Sequence, residues 1–575
     1  MRKSLKTKKT QLVFDIETDN FYEQGKVIHC IVTMDTETWE VKSFGPEQIQ
    51  EGIEHLDNAF ALIGHNIIDF DIPFINKLYQ WTPKSRIYDT LIFSRLIHPT
   101  RESHALEAWG KDLGFLKAES PNFAEYSEEM LKYCINDVKL NFKLWEKLKE
   151  GSKDGKLKGA IKLEHTMQNI CSDMRHVGVN FNHKKASELE QRLYLERSGY
   201  EDVLTKTFGS WVVGNGDGRT RKKADYTKIK VVNFNPRSRQ HIAKVLIDRG
   251  WKPSKTTPLG HPIVDESTLR EIGTEDSKRI ADYLIIQKRI AQLKEGNQAW
   301  LKLAVEEGNC HRIHNRTNSL GGTYTSRATH THPNLGQVPA VRSPFGKECR
   351  ELFIPDEGCK FIGIDMSGLE LRVLAHYMSN WDGGAYGKKI VEGDIHTVNQ
   401  KYAGLETRDQ AKTFIYALLY GAGSEKLGSI VGGGKKEGAK LRNKFMRNIN
   451  GFKQLNSKIA EKLENKNYLK GLDRRPIPVR STHSALNFLI QSAGAILCKK
   501  WITLVNDEIL KSYNGLARIV LWVHDEIQVS VSEELDLDEV GKSFVEKIFE
   551  TERYYDFRCP LDGEYKIGNS WMETH

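Results

Sequence analysis

The sequence predicts a multidomain protein of mixed α/β and α+β class, and three observations lead to this fold class. The chain has 575 residues, more than one hydrophobic core usually supports. β-Prone apolar runs alternate with helical periodicity over residues 11 to about 150, whereas helical patterning dominates from about 158 to 305. From residue 311 onward, strands and helices mix again. Because the chain has no internal repeat and no proline-rich linker, the domain boundaries are expected where these patterns change.

Composition narrows the class of protein without fixing its activity. The net charge is +9, from 85 Lys and Arg against 76 Asp and Glu, which is compatible with a phosphate-bearing partner but does not demand one. Eight scattered cysteines without a C-x-x-C pair argue against a zinc site or a disulfide framework, and favour a reducing cytoplasm. No run of 18 apolar residues occurs, so no membrane span is expected.

The first element is a β-strand that carries two acids on one face. In QLVFDIETDN, Asp15 and Glu17 are two residues apart, so their side chains share a face. Such a pair repels unless a cation lies between the carboxylates, and Mg²⁺ prefers carboxylate oxygens and water. An isolated D-x-E is more often a strand end that reaches solvent, by roughly ten to one.

Two further acidic motifs follow on the same α/β background. GHNIIDFDIP places Asp71 after a polar turn, with Asp69 as a competing candidate. YCINDV places Tyr133 and Asp137 at i and i+4, on one helix face. In this order and at these intervals the segments resemble the three motifs of proofreading 3′→5′ exonucleases.

The resemblance implies an RNase H-like exonuclease domain over residues 1–152. It implies that two Mg²⁺ or Mn²⁺ ions are held by four carboxylates, those of Asp15, Glu17, Asp71 and Asp137. Tyr133 would orient the attacking water. Asp71 is preferred to Asp69 because it matches the aspartate that precedes an apolar residue and proline in close relatives.

The helix-rich middle of the chain offers two candidate DNA contacts. A glycine-rich basic stretch within 208–232 is expected to form an exposed loop; its basic residues are Arg219, Arg221, Lys222 and Lys223. A helix is also expected near Ala281–Leu303, with Lys288, Arg289 and Lys294 on it. A solvated helix face explains those three cations equally well.

Two segments of the C-terminal half end β-runs on aspartate. KFIGIDMSGLELRVLAHYM places Asp365 at the end of a strand that leads into a helix. IVLWVHDEIQVSV is a pair of β-runs joined through His524, Asp525 and Glu526. Aspartate is common in hairpin turns, so each segment alone is weak evidence. Together they supply the two aspartates that two-metal phosphoryl transfer uses.

Between these segments, TRDQAKTFIYALLYGAG predicts a helix with a chemically graded face. Arg408, Lys412, Tyr416 and Tyr420 recur every four residues, so the row drifts by only about 120° over about 18 Å. Thr407 is a candidate N-cap. A solvated basic edge would explain the two cations but not the two tyrosines. A row that meets a triphosphate first and a base next explains all four.

These three segments match, in order, the motifs of family A DNA polymerases. The match continues through IHNRTNSLGGTYTSRATHTHPNLGQVPAVRSP, DIHTVNQ and HSALNFLIQSAGAILCK. Over most of residues 230–575 the chain resembles the replicative polymerases of T-odd, short-tailed bacteriophages. The resemblance implies a right-hand polymerase after the exonuclease domain: thumb and connecting helices at 153–310, palm at 311–395, fingers at 396–475, and the second part of the palm at 476–575.

The resemblance also assigns roles to residues of the polymerase half. Two Mg²⁺ ions would be held by the catalytic carboxylates of Asp365 and Asp525. Nucleotide contacts would come from Arg408, Lys412 and His396 at the triphosphate, Tyr416 at the sugar, Tyr420 at the template base, and Glu370, which selects deoxynucleotides. DNA contacts would come from Arg327, Asn487 and Gln491 in the minor groove, and from His524 and Glu526 beside the primer terminus.

The implied function is primer-dependent DNA synthesis with proofreading, for bacteriophage replication in the cytoplasm of a bacterial host. The implied partners are primer–template DNA, dNTPs, a phage helicase-primase and a single-stranded DNA-binding protein. Thioredoxin is not expected, because the relatives that recruit it carry a long thumb insertion and this chain has only a short stretch from about Gly209 to Val232.

Two alternatives to this function remain open on the sequence. A single-subunit phage-type RNA polymerase would share the two aspartates and the Arg-to-Lys helix. It is not expected to have an N-terminal exonuclease, Glu370 or Tyr416. An inactive DNA-binding replication scaffold is the other alternative, although all the expected acids are present.

Overall fold

The computed structural model describes residues 10–214 and 229–575. The basic N-terminal residues 1–9 lie outside this range, as do Arg219, Arg221, Lys222 and Lys223, the proposed DNA contacts of the 208–232 stretch. Residues 210–214 and 229–233, on the two sides of that gap, pair as a two-stranded antiparallel hairpin.

The N-terminal segment is a five-stranded mixed sheet with helices on its faces. Its elements are β1 (Gln11–Thr18), β2 (Ile28–Asp35), β3 (Val41–Phe44), α1 (Ile49–Asp57), β4 (Ala61–Gly64), α2 (Asp71–Tyr79), β5 (Arg86–Asp89), α3 (Thr90–Ile97), α4 (Leu106–Leu113) and α5 (Glu128–Gly151). The strand order is β3-β2-β1-β4-β5, antiparallel among the first three strands and parallel from β1 to β5. Apolar residues of β1 enter separate cores on the two faces of the sheet, with Phe14 on one side and Val13 on the other. β1 is therefore a central strand covered on both faces.

A mainly helical region connects the two halves of the chain. Its elements are α6 (Lys158–Val177), β6 (Val179–Phe181), α7 (His183–Phe208), β7 (Ser210–Gly214), β8 (Ile229–Asn233), α8 (Arg239–Asp248), α9 (Glu266–Ile272), α10 (Glu275–Ile290) and α11 (Trp300–Leu303). Strands β7 and β8 form the hairpin, and α8, α9 and part of α10 share a core of their own.

The helix expected near Ala281–Leu303 is not continuous. α10 ends at Ile290, and a π-helical turn ends at Gly296, where an added Cβ would meet the carbonyl oxygen of Ala291 at 2.7 Å. Arg289 is only 7% exposed, so it is not available to the DNA backbone. Of the three expected cations, Lys288 is exposed and Lys294 pairs with Glu190 at 3.1 Å. The prediction of one helix presenting all three cations was therefore wrong.

The C-terminal half is built on a four-stranded antiparallel sheet in the order β17-β18-β14-β19. The first elements of this half, in chain order, are β9 (Ala304–Glu307), β10 (Cys310–Ile313), β11 (Arg316–Asn318), β12 (Thr329–Thr331), α12 (Gly346–Arg350), β13 (Phe353–Ile354), β14 (Cys359–Met366) and α13 (Leu369–Asp382). A helical insertion follows: α14 (Ala385–Glu392), α15 (Ile395–Ala403), α16 (Arg408–Leu419), α17 (Ser424–Ser429), α18 (Lys435–Asn448), α19 (Phe452–Asn465), β15 (Tyr468–Lys470) and β16 (Pro476–Pro478). The chain then returns to the sheet through α20 (Thr482–Ser512), β17 (Ala517–Val523), β18 (Glu526–Ser532), α21 (Leu537–Tyr554) and β19 (Gly563–Gly568).

α20 is the central helix of the largest core. It contributes buried residues from Ala485 to Ile509 to the core that also holds the apolar faces of β14, α13 and α16. Among the described residues it is the one helix long and apolar enough to cross a membrane, and 78% of its apolar window is buried inside the protein. Its apolar character is accounted for by packing on all sides. The mixed helix–strand multidomain class expected from the sequence is confirmed.

Candidate functional sites

The first acidic site forms where β4 stops short of the end of β1. Pairing between the two strands ends at Val13 and Ile63, and the chain turns away after Gly64. A Cβ on Gly64 would lie 2.0 Å from Ile67, so this turn requires glycine. The turn leads to Asp71 at the first position of α2, and its Oδ1 accepts the Ile16 backbone N–H at 3.2 Å. Asp71 thus takes the hydrogen bond that a longer β4 would supply to β1.

The remaining acids of this site come from β1 and α5. Asp15 and Glu17 lie on the same face of β1 as Val13, the face that α5 covers. α5 contributes Asp137, whose Oδ2 receives Lys117 at 2.7 Å. The Oδ1 of Asp137 is buried without a hydrogen-bond partner. Asp71, Glu17 and Asp137 therefore all lie within electrostatic reach of Asp15, and Lys117 pairs directly with Asp137.

Asp69 does not join this group. Its Oδ2 accepts a hydrogen bond from Arg175 Nη1 at 3.2 Å, whereas Asp71 is buried beside Asp15. The geometry separates the two candidates that the sequence left open, by giving Asp69 a cation partner of its own.

The electrostatics of this site favour a divalent cation. Burial, and then repulsion from Asp71, Glu17 and Asp137, raises the pKa of Asp15 well above its usual range. Burial is also the largest cause of the raised pKa of Glu17, to about 9, of Asp71, to about 7, and of Asp137. Carboxylate oxygens of Asp15 and Glu17 lie within 4.8 Å of each other and of Cys134 Sγ. The crowded oxygens and the partnerless Asp137 Oδ1 fit oxygen-ligated metal ions.

Tyr133 is buried at the edge of this site. The Lys117 ammonium lies 4.7 Å from the centre of its ring, and the Phe123 ring packs edge-on against it at 5.8 Å. Lys117 thus contacts both Asp137 and Tyr133. No sequence pattern identified Lys117, because its partners lie 16 and 20 residues further along the chain.

The second acidic site lies at one end of the four-stranded sheet. Asp365 is next to last in β14, flanked across the sheet by Glu526 and Glu564. Asp525 lies in the tight turn between β17 and β18, which His524 completes with a left-handed backbone (φ 58°). The Met366 backbone N–H donates to the Asp525 carbonyl at 3.1 Å, which joins the two aspartate segments.

Both aspartates have raised pKa values. Burial, followed by repulsion from Asp525, Glu526, Glu564 and Glu370, raises the pKa of Asp365 to about 7. Burial and Glu370 raise the pKa of Asp525 to about 6. Neighbouring carboxylates that resist ionisation together are the environment in which a divalent cation is favoured.

Glu526 and His524 occupy different positions in this turn. Glu526 is buried and accepts hydrogen bonds from Trp571 Nε1 at 2.5 Å and Gln528 Nε2 at 2.7 Å, and His575 Nδ1 lies 3.2 Å from it. His524 is exposed and lines one cavity with Arg327, Glu370 and Asp525. The DNA-contact role of Glu526 stays a prediction, and its carboxylate is already committed to partners within the protein.

α16 begins and ends close to where the sequence indicates. Thr407 caps it and forms a capping box with Gln410. The helix ends at Leu419, so Tyr420 is its C-cap residue and Gly421 adopts a left-handed backbone (φ 76°). Ala411, Phe414, Ile415 and Leu418 are buried on one side, which leaves the Arg408, Lys412, Tyr416 and Tyr420 row on the other.

The cationic end of this row meets α15. Arg408 forms a bidentate pair with Asp394, through Nε at 2.5 Å and Nη2 at 3.2 Å, and Asp394 also caps α15. Burial, then Arg408 and Lys412, lowers the pKa of His396. Three residues expected at the triphosphate are therefore gathered at one edge.

The phenolic end of the row meets the acids. Tyr420 donates to Glu370 Oε1 at 3.1 Å, and Arg327 Nη2 pairs with the same oxygen at 3.2 Å. The Tyr416 ring lies 6.1 Å from the His396 ring. Burial, then Glu370, Tyr420, Asp525 and Asp365, raises the pKa of Tyr416 to about 12. Tyr416 thus lies between the cations and the acids, within electrostatic reach of both aspartates.

Asn487 and Gln491 lie on one face of α20, as the i, i+4 spacing requires. Asn487 is 9% exposed and Gln491 is partly buried. Ile490 and Gly494, on the same helix, line the cavity that holds Arg327 and Asp525.

Comparison with known proteins finds a matching family model and similar proteins over most of the chain. The model of DNA polymerase family A matches residues 217–573. The DNA-directed DNA polymerases of Enterobacteria phage T3 and Escherichia phage T7 are each 34% identical, covering 98% of this chain and all of the phage proteins. Each alignment spans 711 positions, more than the 575 residues of this chain, so these relatives carry residues that it lacks.

A solved structure shows the same fold at lower identity. It is described as the POL domain of Pol1 from M. smegmatis in complex with DNA primer-template and dNTP. It matches with a TM-score of 0.81 at 18% identity, over 99% of this chain and 96% of the other.

Proposed function

The chain belongs to DNA polymerase family A and is a DNA-directed DNA polymerase, and from this premise we propose a two-site replicative enzyme that also proofreads. One site extends a primer 3′-hydroxyl with template-selected deoxynucleotides, and the other removes mispaired nucleotides from the 3′ end. The proposal is supported above all by the proximity of Asp365 and Asp525, both with raised pKa values, to each other and to the Arg408-to-Tyr420 row.

In the polymerase site, Asp365 and Asp525 would hold two Mg²⁺ ions. Such ions, when bound, neutralise charge on the attacking and leaving oxygens. Arg408, Lys412 and His396 bind the triphosphate of the incoming nucleotide, so Arg408 must exchange its Asp394 partner for phosphate.

Selection of the nucleotide falls to the other end of the row. Tyr416 packs at the sugar, and Tyr420 lies near the template base. Glu370 fills the space of a ribose 2′-hydroxyl, and its hydrogen bonds from Tyr420 and Arg327 support that position.

Base-pair geometry is tested from α20 and its surroundings. Arg327, Asn487 and Gln491 reach minor-groove acceptors that nearly all base pairs share. His524 and Glu526 lie beside the primer terminus, with Glu526 acting through its buried contacts.

In the exonuclease site, Asp15, Glu17, Asp71 and Asp137 would hold two Mg²⁺ or Mn²⁺ ions. The raised pKa values of these acids support the assignment, because a bound cation relieves their repulsion. Tyr133 orients the attacking water, and Lys117 holds Tyr133 and Asp137 in place.

The domain scheme keeps the boundaries expected from the sequence. We assign an RNase H-like exonuclease domain to residues 1–152, thumb and connecting helices to 153–310, palm to 311–395 and 476–575, and fingers to 396–475.

The proposed substrates of the enzyme are primer–template DNA and dNTPs, and the enzyme acts in the cytoplasm of a bacterial host. A helicase-primase and a single-stranded DNA-binding protein are proposed partners.

Thioredoxin is not among the proposed partners. The chain between β7 and β8 is short, which supports processivity from the thumb itself or from another factor. Longer products in single-encounter primer extension on adding thioredoxin would overturn this.

Two variants test the two-site proposal. We expect Asp365→Ala to abolish extension and spare digestion, and Asp15→Ala with Glu17→Ala to do the reverse. Loss of both activities in either folded variant contradicts separate sites. Parallel reactions with ribonucleotides test the RNA polymerase alternative, and wild-type extension excludes an inactive scaffold.

A further inference from the structure

α6 runs between the two proposed sites and contacts the exonuclease segments directly. His165 Nε2 accepts the Asp89 backbone N–H at 2.8 Å, and Ser172 Oγ donates to the Ile68 carbonyl at 3.0 Å. One turn further along α6, Arg175 extends a guanidinium that is 4% exposed as a residue.

Arg175 joins two loops that come from the segments carrying Asp15 with Glu17 and Asp71, the proposed metal ligands. Its Nη2 donates to Glu23 Oε1 at 2.5 Å, and its Nη1 donates to Asp69 Oδ2 at 3.2 Å. Glu23 belongs to the loop that follows Glu17 on β1, and Asp69 lies two residues before Asp71. The next residue of α6, His176, packs its ring 4.1 Å from the Tyr22 ring of the same β1 loop.

This contact has a specific electrostatic task. Glu23 and Asp69 are additional negative charges on loops that already bring carboxylates together, and without a cation they would push the loops apart. A planar guanidinium can donate to two carboxylates at once in fixed geometry, whereas a lysine ammonium offers a compact point charge. Arg316 also approaches Glu23, at 3.6 Å, and interacts electrostatically with Asp69, but among the described residues only Arg175 hydrogen-bonds to both carboxylates.

We propose that Arg175 is a positioning residue of the exonuclease, which sets the spacing of the Asp15–Glu17 segment from Asp71 by clamping Glu23 and Asp69 together. The inference rests on the proposed exonuclease function. It makes that site depend on a residue outside the 1–152 domain and gives Asp69 a role distinct from metal binding.

The position of Arg175 is set by the polymerase half of the chain. Its carbonyl accepts from His314 Nδ1 at 2.8 Å. Earlier on α6, the fully buried Glu164 accepts from Arg475 Nη1 at 2.5 Å and Lys499 Nζ at 2.7 Å, and Lys499 lies on α20. α6 therefore fixes the exonuclease loops relative to the helix that carries Asn487 and Gln491.

The test compares Arg175→Met and Arg175→Lys in the full-length protein. Arg197→Met is the matched control, because Arg197 is 3% exposed and pairs with Glu295 at 2.7 Å on a different helix. Hydrolysis of single-stranded DNA is measured across a Mn²⁺ titration, together with primer extension and melting temperature.

We expect Arg175→Met to lower the hydrolysis kcat, or raise the Mn²⁺ concentration for half-maximal rate, by roughly 10–100-fold, the effect typical of residues that orient metal ligands. Extension should stay within about twofold, and Arg175→Lys should recover hydrolysis only in part. Arg197→Met should leave the Mn²⁺ dependence of hydrolysis unchanged even if it lowers the melting temperature.

The inference is overturned if Arg175→Met hydrolyses like wild type, if hydrolysis and extension fall together, or if Arg197→Met gives the same Mn²⁺ shift. Failure of the proposed exonuclease itself looks different. In that case the wild-type protein does not hydrolyse DNA, or Asp15→Ala with Glu17→Ala retains the wild-type rate.

Discussion

Replacing Asp15 with Asn and Glu17 with Gln is expected to stabilise the metal-free protein while abolishing hydrolysis. The pKa of Glu17 is raised to about 9 by burial and by neighbouring acids. The native state therefore holds a proton that the unfolded state releases near its ordinary pKa of 4.5. For an acid shifted in this direction, stability is full below the unfolded pKa and is lost as pH rises toward the folded pKa.

The size of the stabilisation follows from the interval between the pH of the assay and the pKa of Glu17 in the unfolded state. At about pH 7.5 three pH units separate the solution from the unfolded pKa, which gives a ceiling of about 4 kcal/mol for Glu17. Rearrangement of water and of Lys117 offsets part of this, so we expect a gain of about 1–3 kcal/mol. At about 2–4 °C per kcal/mol for a segment of this size, the melting temperature should rise by roughly 2–12 °C.

The assay is thermal unfolding in EDTA and in saturating Mn²⁺. Both parent and variant carry Asp365→Ala, so that the polymerase site contributes no metal-dependent shift. Mn²⁺ should raise the melting temperature of the parent, which keeps Asp15 and Glu17, because the ion binds only the folded state. It should leave the melting temperature of the Asp15→Asn, Glu17→Gln variant unchanged. Glu47→Gln with Glu51→Gln, two exposed acids near the start of α1, is the control for charge removal and should give no rise. The reasoning is refuted if the variant melts at or below the melting temperature of its parent in EDTA, or if Mn²⁺ still raises the melting temperature of the variant.

Three further outcomes follow from the two sites. Asp71→Asn should lower hydrolysis by at least about a hundredfold and Asp69→Asn by about tenfold at most, since only Asp71 faces the other acids; equal losses in single-turnover hydrolysis contradict the separation. Protons compete with Mg²⁺ at Asp365 and Asp525, whose pKa values are about 7 and 6, so the Mg²⁺ needed for half-maximal extension should fall as pH rises through that range. A pH-independent Mg²⁺ requirement would count against these ligands. Glu370→Ala should raise kcat/KM for ribonucleotides relative to deoxynucleotides by about 10–100-fold, and an unchanged ratio removes Glu370 from sugar selection.

Local periodicity in the sequence is enough to determine the chemistry-bearing faces. The four-residue spacing from Arg408 to Tyr420 places these side chains on one face, and Thr407 caps the helix as expected. Period two on β1 likewise places Asp15 with Glu17. These features depend on neighbours within a few residues, so sequence suffices to predict them.

Partner choice across long loops was decided only by the tertiary structure. Resemblance to relatives favours Asp71 over Asp69 in the sequence, and what separates their positions in the structure is Arg175, more than a hundred residues away, which pairs with Asp69. Lys117 entered the acidic site without any motif. Arg289, expected to face DNA, is buried on the same helix as Ile285, Ile286 and Ile290, and that helix ends sooner than its periodicity indicates.

The sequence by itself therefore determined the family, the order of the two sites and the faces that carry their acids and cations. The tertiary structure decided which acids lie together, which of them pair with Lys117 or Arg175, and how α6 joins the loops of the N-terminal acidic site to the C-terminal half. The physical reason is that faces follow from the helix and strand repeats. Pairing of distant charges depends on how the loops close and on which groups burial leaves without water.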